Sequence, residues 1–370
     1  MSQSNTSTLS AGAAPVPSQL SPSKAKRNRL SAGFFRFLIV RLLLIIPTVF
    51  ILVTVVFFVM RATGDPISAA LGGRLNPAEL HRRIHAAGYD RPLIVQYGDY
   101  LVKLLHGDLG TTLTDNQPVS QILLRYGAAT LELSVLSLIV ALLVGIVLGR
   151  LAAKYRDHLA DAGIRVFAIL CYATPVFFLG LVLKLVFSVW LGVLPASGRS
   201  SLESEMQFGR LVSPTGLYIV DALQLGDMSV LSDVLKHAIL PSLALGLLTA
   251  GVFIRLVRTN VISTYTSGYV EAARSRGVSE RRLLSKHAWR PALIPIITVM
   301  GMQIAMMLAG AVLTETTFEW KGLGFILADY LKKRDFVAVQ GIVILIAVIV
   351  SLVNFIVDVV SALLDPRVRY

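Results

Sequence analysis

The stretch Tyr269-Val-Glu-Ala-Ala-Arg-Ser-Arg-Gly277 is a polar island between two long apolar runs. Residues 238–256 precede it and residues 292–313 follow it, and each run is long enough to cross the hydrocarbon core of a bilayer as a helix. The island therefore lies at a membrane surface. Its alanines let another protein approach the backbone closely, and Gly277 can take the left-handed conformation that ends a helix. The stretch predicts a short surface helix that a soluble partner binds.

The composition agrees with a membrane protein. Of the 370 residues, 55% are hydrophobic and 15% are charged, and the mean hydropathy is +0.69. Soluble globular chains carry about 25% charged residues, so this composition excludes an ordinary soluble domain. The natural class is an all-α polytopic membrane protein. The single cysteine, Cys171, rules out a disulfide within the chain.

The apolar runs predict six membrane spans with both termini on the same side. The predicted spans cover residues 42–60, 133–149, 164–191, 238–256, 292–313 and 337–357. We divide the chain into a disordered basic tail (1–33), a first span with an extracytoplasmic cap (34–127), and a transmembrane domain (128–370) that includes a coupling loop (257–291). No strong internal repeat is evident, which disfavours secondary transporters built from inverted repeats.

The distribution of charge predicts the orientation. We count Arg165 and Arg255, at span ends, with the adjoining loops and set Glu132, Lys184 and Asp358 aside; one side then carries 20 Lys and Arg against 5 Asp and Glu, and the other side carries 14 against 15. Cytoplasmic loops are enriched in Lys and Arg, so the basic side, which holds both termini, is predicted to be cytosolic. The net charge of +13 does not indicate nucleic-acid binding, because no separate basic domain carries it.

The segment between the first two spans predicts folded structure. Asn76 is a helix N-cap, Pro77 the first helical residue and Glu79 its capping-box partner, and Gly88 ends the helix. A second helix is predicted with one apolar face made of Tyr97, Tyr100, Leu101, Leu104 and Leu105. By contrast, residues 315–336 predict only a short outer hairpin or re-entrant turn.

Polar residues inside the spans are candidates for the transport pathway or its gate. Thr174-Pro175 interrupts the third span, because proline breaks helical hydrogen bonding. Lys184 is a charge within that span, and Gln303 is a polar residue within the fifth. Glu132 and Asp358 lie near span ends, where a solvated or capping role is expected rather than proton transfer.

The chemistry of an enzyme is not evident in the sequence. No phosphate-binding Gly-x-x-x-x-Gly-Lys-Ser/Thr motif occurs, so an energy source would lie in another subunit. His81 and His85 are spaced for a metal, but no Glu or Cys completes a site, and surface histidines are expected. We therefore predict no catalytic residue, no metal and no bound cofactor. An ion-coupled carrier would need a proton relay, which the spans lack, and an intramembrane enzyme would need paired catalytic residues.

Residues 269–277 together with Ala292-Leu-Ile-Pro295 resemble the Glu-Ala-Ala loop of the inner-membrane permease subunits of binding-protein-dependent ABC importers. The resemblance covers about residues 34–370. Other stretches resemble the peptide subfamily, which includes dipeptide, oligopeptide and nickel importers, and specifically its first permease type. These stretches are Gly64-Asp-Pro66, Asp90-Arg-Pro-Leu-Ile-Val-Gln-Tyr97, Gly107-Asp-Leu-Gly110, Leu194-Pro-Ala-Ser-Gly198, Glu315-Thr-Thr-Phe318, Gly322-Leu-Gly324 and Asp365-Pro-Arg-Val-Arg-Tyr370. Lys321 stands where the family usually has proline.

The resemblance implies a type I ABC importer fold and a set of partners. These are a second homologous permease, two cytosolic ATPase subunits that hold ATP and Mg, and an extracytoplasmic binding protein. The chain itself would be a multi-pass protein of the cytoplasmic membrane, in contact with its lipid. It also implies that the polar island is the helix seated in the ATPase. The residues expected to couple to the ATPase are Tyr265, Tyr269, Glu271, Ala272, Ala273, Arg274, Arg276 and Gly277, with the two tyrosines on one helix face. The implied substrate is a peptide; nickel or another small solute is the alternative.

Overall fold

The computed structural model describes residues 35–364, and these residues are mostly helical. The long helices are α1 (Phe35–Ala62), α5 (Val119–Lys154), α10 (Met228–Tyr265), α13 (Trp289–Phe318) and α15 (Phe336–Leu364). The shorter ones are α2 (Pro66–Leu71), α3 (Pro77–Ala86), α4 (Leu93–Leu105), α6 (Leu159–Ala173), α7 (Val176–Trp190), α8 (Leu202–Phe208), α9 (Tyr218–Leu225), α11 (Gly268–Ser275), α12 (Glu280–Arg282) and α14 (Leu323–Lys332). The predicted tail, 1–33, and the motif at 365–370 lie outside the described residues.

Four helices within residues 35–364 are long and apolar enough to cross a membrane, namely α1, α5, α10 and α15. Two bent pairs bring the number of crossings to six if each pair is one span. One pair is α6 with α7, which meet at 108°; the other is Glu280–Leu293 with Pro295–Leu308, which meet at 50°. The predicted all-α fold and the break after Thr174 are confirmed.

Helices α5 and α10 run parallel and form the centre of the bundle. Gly145 of α5 faces Phe253 of α10, and Gly149 faces Val257, at separations that leave no room for a Cβ atom. Because the residue numbers of both helices increase in the same direction, Lys154 and Tyr265 end at the same side of the bundle. We call this side, with residues 150–161 and 258–288, the basic end, and the opposite side, with residues 61–118, 192–227 and 315–335, the cap end.

The two bent pairs also traverse the bundle from end to end. Asp161 at the start of α6 bonds Arg258 at the basic end, whereas Lys184 in α7 bonds the carbonyl of Thr317 at the cap end. Segment Glu280–Leu293 begins α13's crossing at the basic end. That crossing ends near Trp320, whose ring nitrogen donates to the carbonyl of Ala129. The contacts therefore favour six crossings among the described residues.

The predicted cap is folded, with two local corrections. Asp65 and Asn76 cap α2 and α3 by accepting hydrogen bonds from backbone amides, and Ile67, Ala70 and Leu71 form a small buried cluster. The side chain of Glu79 does not complete the predicted capping box but pairs with Arg82 and Arg83. Leu105, the last residue of the predicted apolar face of α4, is 86% exposed because α4 ends there.

One predicted boundary falls inside a helix, and one predicted turn is largely helical. The boundary between residues 127 and 128 lies within α5, which starts at Val119. The short hairpin or re-entrant turn predicted at 315–336 is more helical than the sequence suggested: its first residues continue α13 to Phe318, and residues 323–332 form α14. The difference arises because Glu315 is buried, which the sequence does not show. The carboxylate of Glu315 accepts hydrogen bonds from the Thr130 hydroxyl and the Phe325 amide, at 2.7 and 2.9 Å.

Candidate functional site

The polar island forms α11, a helix of eight residues at the basic end. It follows α10 after a break at Thr266 and Ser267, whose hydroxyls donate to backbone carbonyls one turn earlier. Such side-chain bonds compete with helix continuation, which explains why α10 stops there. Ala272 and Ala273 favour the helix that restarts, and Glu271 in the first turn complements the positive end of the helix dipole.

Gly277 ends α11 in the way the sequence predicts. Its φ is +78°, in the left-handed region. The amide of Gly277 bonds the carbonyl of Arg274, and the amide of Val278 bonds that of Ala273. These two bonds are the Schellman arrangement, which satisfies carbonyls at a helix end and reverses the chain. The reversal returns the chain toward the next crossing.

One side of α11 is anchored to the rest of the protein. The helix packs against the π-helical segment Leu283–Ala288, and Val270 and Leu283 are both fully buried. The hydroxyl of Tyr269 donates to the carbonyl of His287 at 3.3 Å. Val270 was not among the residues predicted from the sequence, although it is the one strongly apolar residue within the island and such a residue indicates an anchor.

An ion pair ties α11 to the neighbouring turns. Arg274 donates to Glu280 at 2.7 Å, and the hydroxyl of Tyr265 also donates to Glu280. The Glu280 carboxylate and then the Tyr265 hydroxyl raise the pKa of Arg274 above its ordinary value. The expectation that Tyr265 and Tyr269 share one helix face is wrong, because the break after Tyr265 places them on different helices.

The other side of α11 is open. Glu271, Ala272, Arg276 and Gly277 are exposed, and Ala273 is half-buried. Within residues 35–364, the carboxylate of Glu271 and the guanidinium of Arg276 have no ion-pair partner. The helix therefore presents small side chains, one free carboxylate and one free cation to its surroundings, which is a surface that another protein can contact closely.

The structure separates the four candidate pathway residues. Thr174 and Pro175 form the extended joint between α6 and α7, and the Thr174 hydroxyl bonds the carbonyl of Leu170. Lys184 is half-buried, and its ammonium donates to Thr317 at 2.9 Å at the carboxyl end of α13. Gln303 is half-buried on α13, about 20 Å from Thr317 along the helix at ~1.5 Å per residue.

A buried ion pair at the cap end was not predicted. Arg199 donates to Glu132 at 2.6 Å, and the two side chains are 7% and 4% exposed. Glu132 also accepts from the amide of Ile219, and Arg199 stacks over the ring of Tyr218. Glu132 is therefore a capping group, which was one of the two roles expected from the sequence, but it is buried and not solvated. The pair joins α5 to the segment before α10.

Two family models match this chain. Residues 145–370 match the family model of the binding-protein-dependent transport system inner membrane component, and residues 34–134 match the model of the N-terminal part of such membrane components. Among solved structures, the inward-facing MetNI methionine ABC transporter is similar with a TM-score of 0.48 at 15% identity, covering 67% of this chain and 98% of that chain.

Curated relatives are closer. The di/tripeptide transport system permease protein DppB of Pseudomonas aeruginosa (strain UCBPP-PA14) is 38% identical, over 90% of this chain and 98% of its own length. The dipeptide permease DppB of Escherichia coli (strain K12) is 37% identical over 90% and 99%. The glutathione permease GsiC of Salmonella choleraesuis (strain SC-B67) is 33% identical over 90% and 99%. This chain therefore belongs to the family of inner-membrane components of binding-protein-dependent transport systems, and it is a multi-pass permease of that family.

Proposed function

We propose that this chain is the permease subunit of an ATP-driven importer and forms half of a translocation pathway for peptides. Three relatives that match nearly its whole length are named for di- and tripeptides, dipeptides and glutathione, and glutathione is itself a tripeptide. The shared substrate chemistry is a short peptide with free charged ends. An extracytoplasmic binding protein would deliver it, and a second homologous permease would complete the pathway.

The observation that carries this proposal is the open side of α11. A short helix that is anchored on one side and ends in a sharp reversal can be seated in a groove of a partner without disturbing its own packing. Ala272 and Ala273 allow close approach, while Glu271 and Arg276 supply free charges for a complementary surface. We assign α11 and Gly277 to the contact with two ATPase subunits, which would hold ATP and Mg, whereas this chain binds no cofactor.

The orientation follows from the same assignment. The ATPase subunits are cytosolic, so the basic end and both termini would face the cytosol, in agreement with the excess of Lys and Arg there. The cap end would then face the binding protein. The domain division predicted above, with a tail at 1–33, a cap at 34–127 and a coupling loop at 257–291, belongs to this proposal.

The proposed mechanism uses the contacts that link α11 to the spans. Closure of the ATPase dimer would move α11, and the anchor at Leu283–Ala288 and the Arg274–Glu280 pair would pass that movement to α13 and α10. The spans would then rock between inward- and outward-facing arrangements. The 108° joint at Thr174-Pro175 is a candidate hinge, and Lys184 and Gln303 remain candidate pathway or gating residues.

Nickel or another small solute in the same architecture is the alternative substrate, and an ion-coupled secondary transporter is a weaker one. Reconstitution tests all three. The permease is combined in vesicles with its second permease, both ATPases and the binding protein, and uptake of a labelled dipeptide is compared with uptake of nickel. The proposal expects dipeptide uptake that needs ATP and the binding protein. Nickel uptake alone, or dipeptide uptake driven by a proton gradient without ATP, would contradict it.

A further inference from the structure

A groove of about 150 Å³ lies between α6 and α10 at the basic end, and none of its lining residues belongs to α11. Its charged lining consists of three arginines, Arg165 from α6 and Arg255 and Arg258 from α10. The rest of its lining is mostly apolar and includes Ala168, Ile169 and Ile254. A basic groove with apolar walls is unusual in a span, because a charge facing hydrocarbon is unfavourable unless it finds a partner or water.

Two of the three guanidinium groups pair with a single carboxylate, that of Asp161. Arg258 makes two 2.7 Å hydrogen bonds to Asp161, which is fully buried. Arg165 lies 3.6 Å from the same carboxylate and is half-exposed. Among the described residues no carboxylate lies within ion-pair distance of Arg255, whose guanidinium is 5.8 Å from the ring centroid of Tyr172. The groove therefore keeps an excess of positive charge and has no counter-ion of its own for Arg255.

The depth of the groove matches the headgroup layer. Arg255 lies at the end of the apolar run 238–256, which is about as long as the hydrocarbon core is thick. An arginine at that depth reaches the phosphate layer of the nearer leaflet with little extension of its side chain. The groove is thus at the level where phospholipid headgroups lie, and not in the middle of the bilayer.

The walls of the groove continue into an apolar surface. At the bottom, Gly251 allows α6 to approach α10 so closely that a Cβ atom there would lie 2.6 Å from the carbonyl oxygen of Ala168. Ile169 in the wall of the groove and Val166 and Leu170 on the same helix are exposed. A ligand with an anionic head and long apolar chains would therefore find partners for both parts, since its head would meet the arginines and its chains would lie along α6.

We propose that this groove binds one anionic phospholipid, with Arg255 and Arg165 contacting the phosphate and α6 supporting an acyl chain. Basic pockets between membrane helices are known to take anionic headgroups in this way. The binding site itself needs only the membrane location of the chain; the assignment of the lipid to the cytosolic leaflet rests on the proposed function.

Native mass spectrometry of the detergent-purified complex, equilibrated with equal amounts of dioleoylphosphatidylglycerol and dioleoylphosphatidylcholine, tests the proposal. The wild type is expected to retain phosphatidylglycerol in preference to phosphatidylcholine. Retention should fall at least fivefold in Arg255→Gln and in Arg165→Gln, and Arg255→Lys, which keeps the charge, should retain most of it. Arg156→Gln, which removes another exposed arginine at the basic end, should behave as the wild type.

Equal retention in the wild type and in both glutamine variants would overturn the proposal. So would efficient cross-linking of a cysteine at position 255 to the second permease in native membranes, because the groove would then be a contact between permeases. The uptake assay is scored separately. A wild-type complex that imports dipeptide but shows no preference for phosphatidylglycerol refutes only the lipid site, whereas a complex that retains the lipid but imports no peptide refutes only the proposed function.

Discussion

The Nε atom of Arg274 lies 2.7 Å from a carboxylate oxygen of Glu280, and this ion pair closes the turn that Gly277 opens. Glu280 also accepts the hydroxyl of Tyr265 at the end of α10. One carboxylate thus joins α10, α11 and α12 at the basic end. Because the pair is exposed to solvent, it contributes little to the free energy of unfolding. Its effect is to orient α11 relative to α10 and α12.

Glu280→Gln should therefore weaken coupling without unfolding the protein. The substitution removes the charge that orients Arg274, so we expect the complex to hydrolyse more ATP for each peptide imported, while the thermal midpoint of the purified permease stays close to that of the wild type. The measurement is the ratio of ATP hydrolysed to peptide taken up in vesicles. Arg282→Gln is the matched control, since Arg282 is an exposed arginine on the same loop. An unchanged ratio in Glu280→Gln would show that the ion pair has no role in coupling.

Gly277→Val should disturb the turn alone. A valine at a φ of +78° strains the backbone by about 1–3 kcal/mol, but no atom lies within 4 Å of the added Cβ, so nothing else has to move. We expect less ATPase to co-purify with the permease while the permease itself inserts normally.

Gly277→Asn is the control, because asparagine tolerates the left-handed conformation better than valine. Gly268→Val is a second control, since Gly268 has no positive φ and also has open space around it. Normal ATPase recovery with Gly277→Val, or an equal loss with all three variants, would show that the left-handed turn is not needed for ATPase binding.

The sequence could predict those features of this loop that depend on residues close to one another in the chain. The turn at Gly277 was predictable because a helix with small residues followed by glycine ends in a known way. The relation of Tyr265 to Tyr269 was not, because Thr266 and Ser267 break the helix through their own side-chain bonds. The spans themselves were predictable from hydropathy, although α5 and α10 extend well beyond their apolar runs.

The cap end was less predictable because its contacts join distant parts of the chain. Glu132 and Arg199 are 67 positions apart, and Thr130 and Glu315 are 185 apart. No periodicity in a single sequence can pair such residues. For the same reason the sequence suggested only a short hairpin or re-entrant turn at 315–336, where the structure has the buried carboxylate of Glu315 and the helix α14.

Arg199→Met should destabilise the protein strongly. It leaves Glu132 buried without its partner, and the removal of one member of a buried pair typically costs about 3–5 kcal/mol. The double variant Glu132→Gln with Arg199→Met should recover part of that loss, because no buried charge remains. Thermal unfolding of the purified permease in detergent measures both. Arg210 is an exposed arginine in the same segment, and the control variant Arg210→Gln is expected to unfold at the same temperature as the wild type. If Arg199→Met is as stable as this control, the buried pair does not stabilise the protein.

The orientation of the chain can be tested with single cysteines in a Cys171→Ala background. Val212, at the cap end, is fully exposed, and Arg282 is exposed at the basic end. A membrane-impermeant maleimide added to whole cells should label cysteine at position 212, and should label cysteine at position 282 only after the membrane is permeabilised. The reverse pattern would invert the proposed topology, and labelling of both positions in intact cells would contradict any model in which the two ends lie on opposite sides.

The contact between α11 and the ATPase is tested most directly by photo-cross-linking from position 272. Ala272→Cys in the Cys171→Ala background is modified with a benzophenone maleimide and irradiated within the assembled complex, and Val212→Cys is treated in the same way as the control. If the ATPase binds α11, position 272 gives a cross-linked product of permease and ATPase, and position 212 gives none. If position 272 gives no such product, or if position 212 gives as much, α11 is not the helix that the ATPase binds.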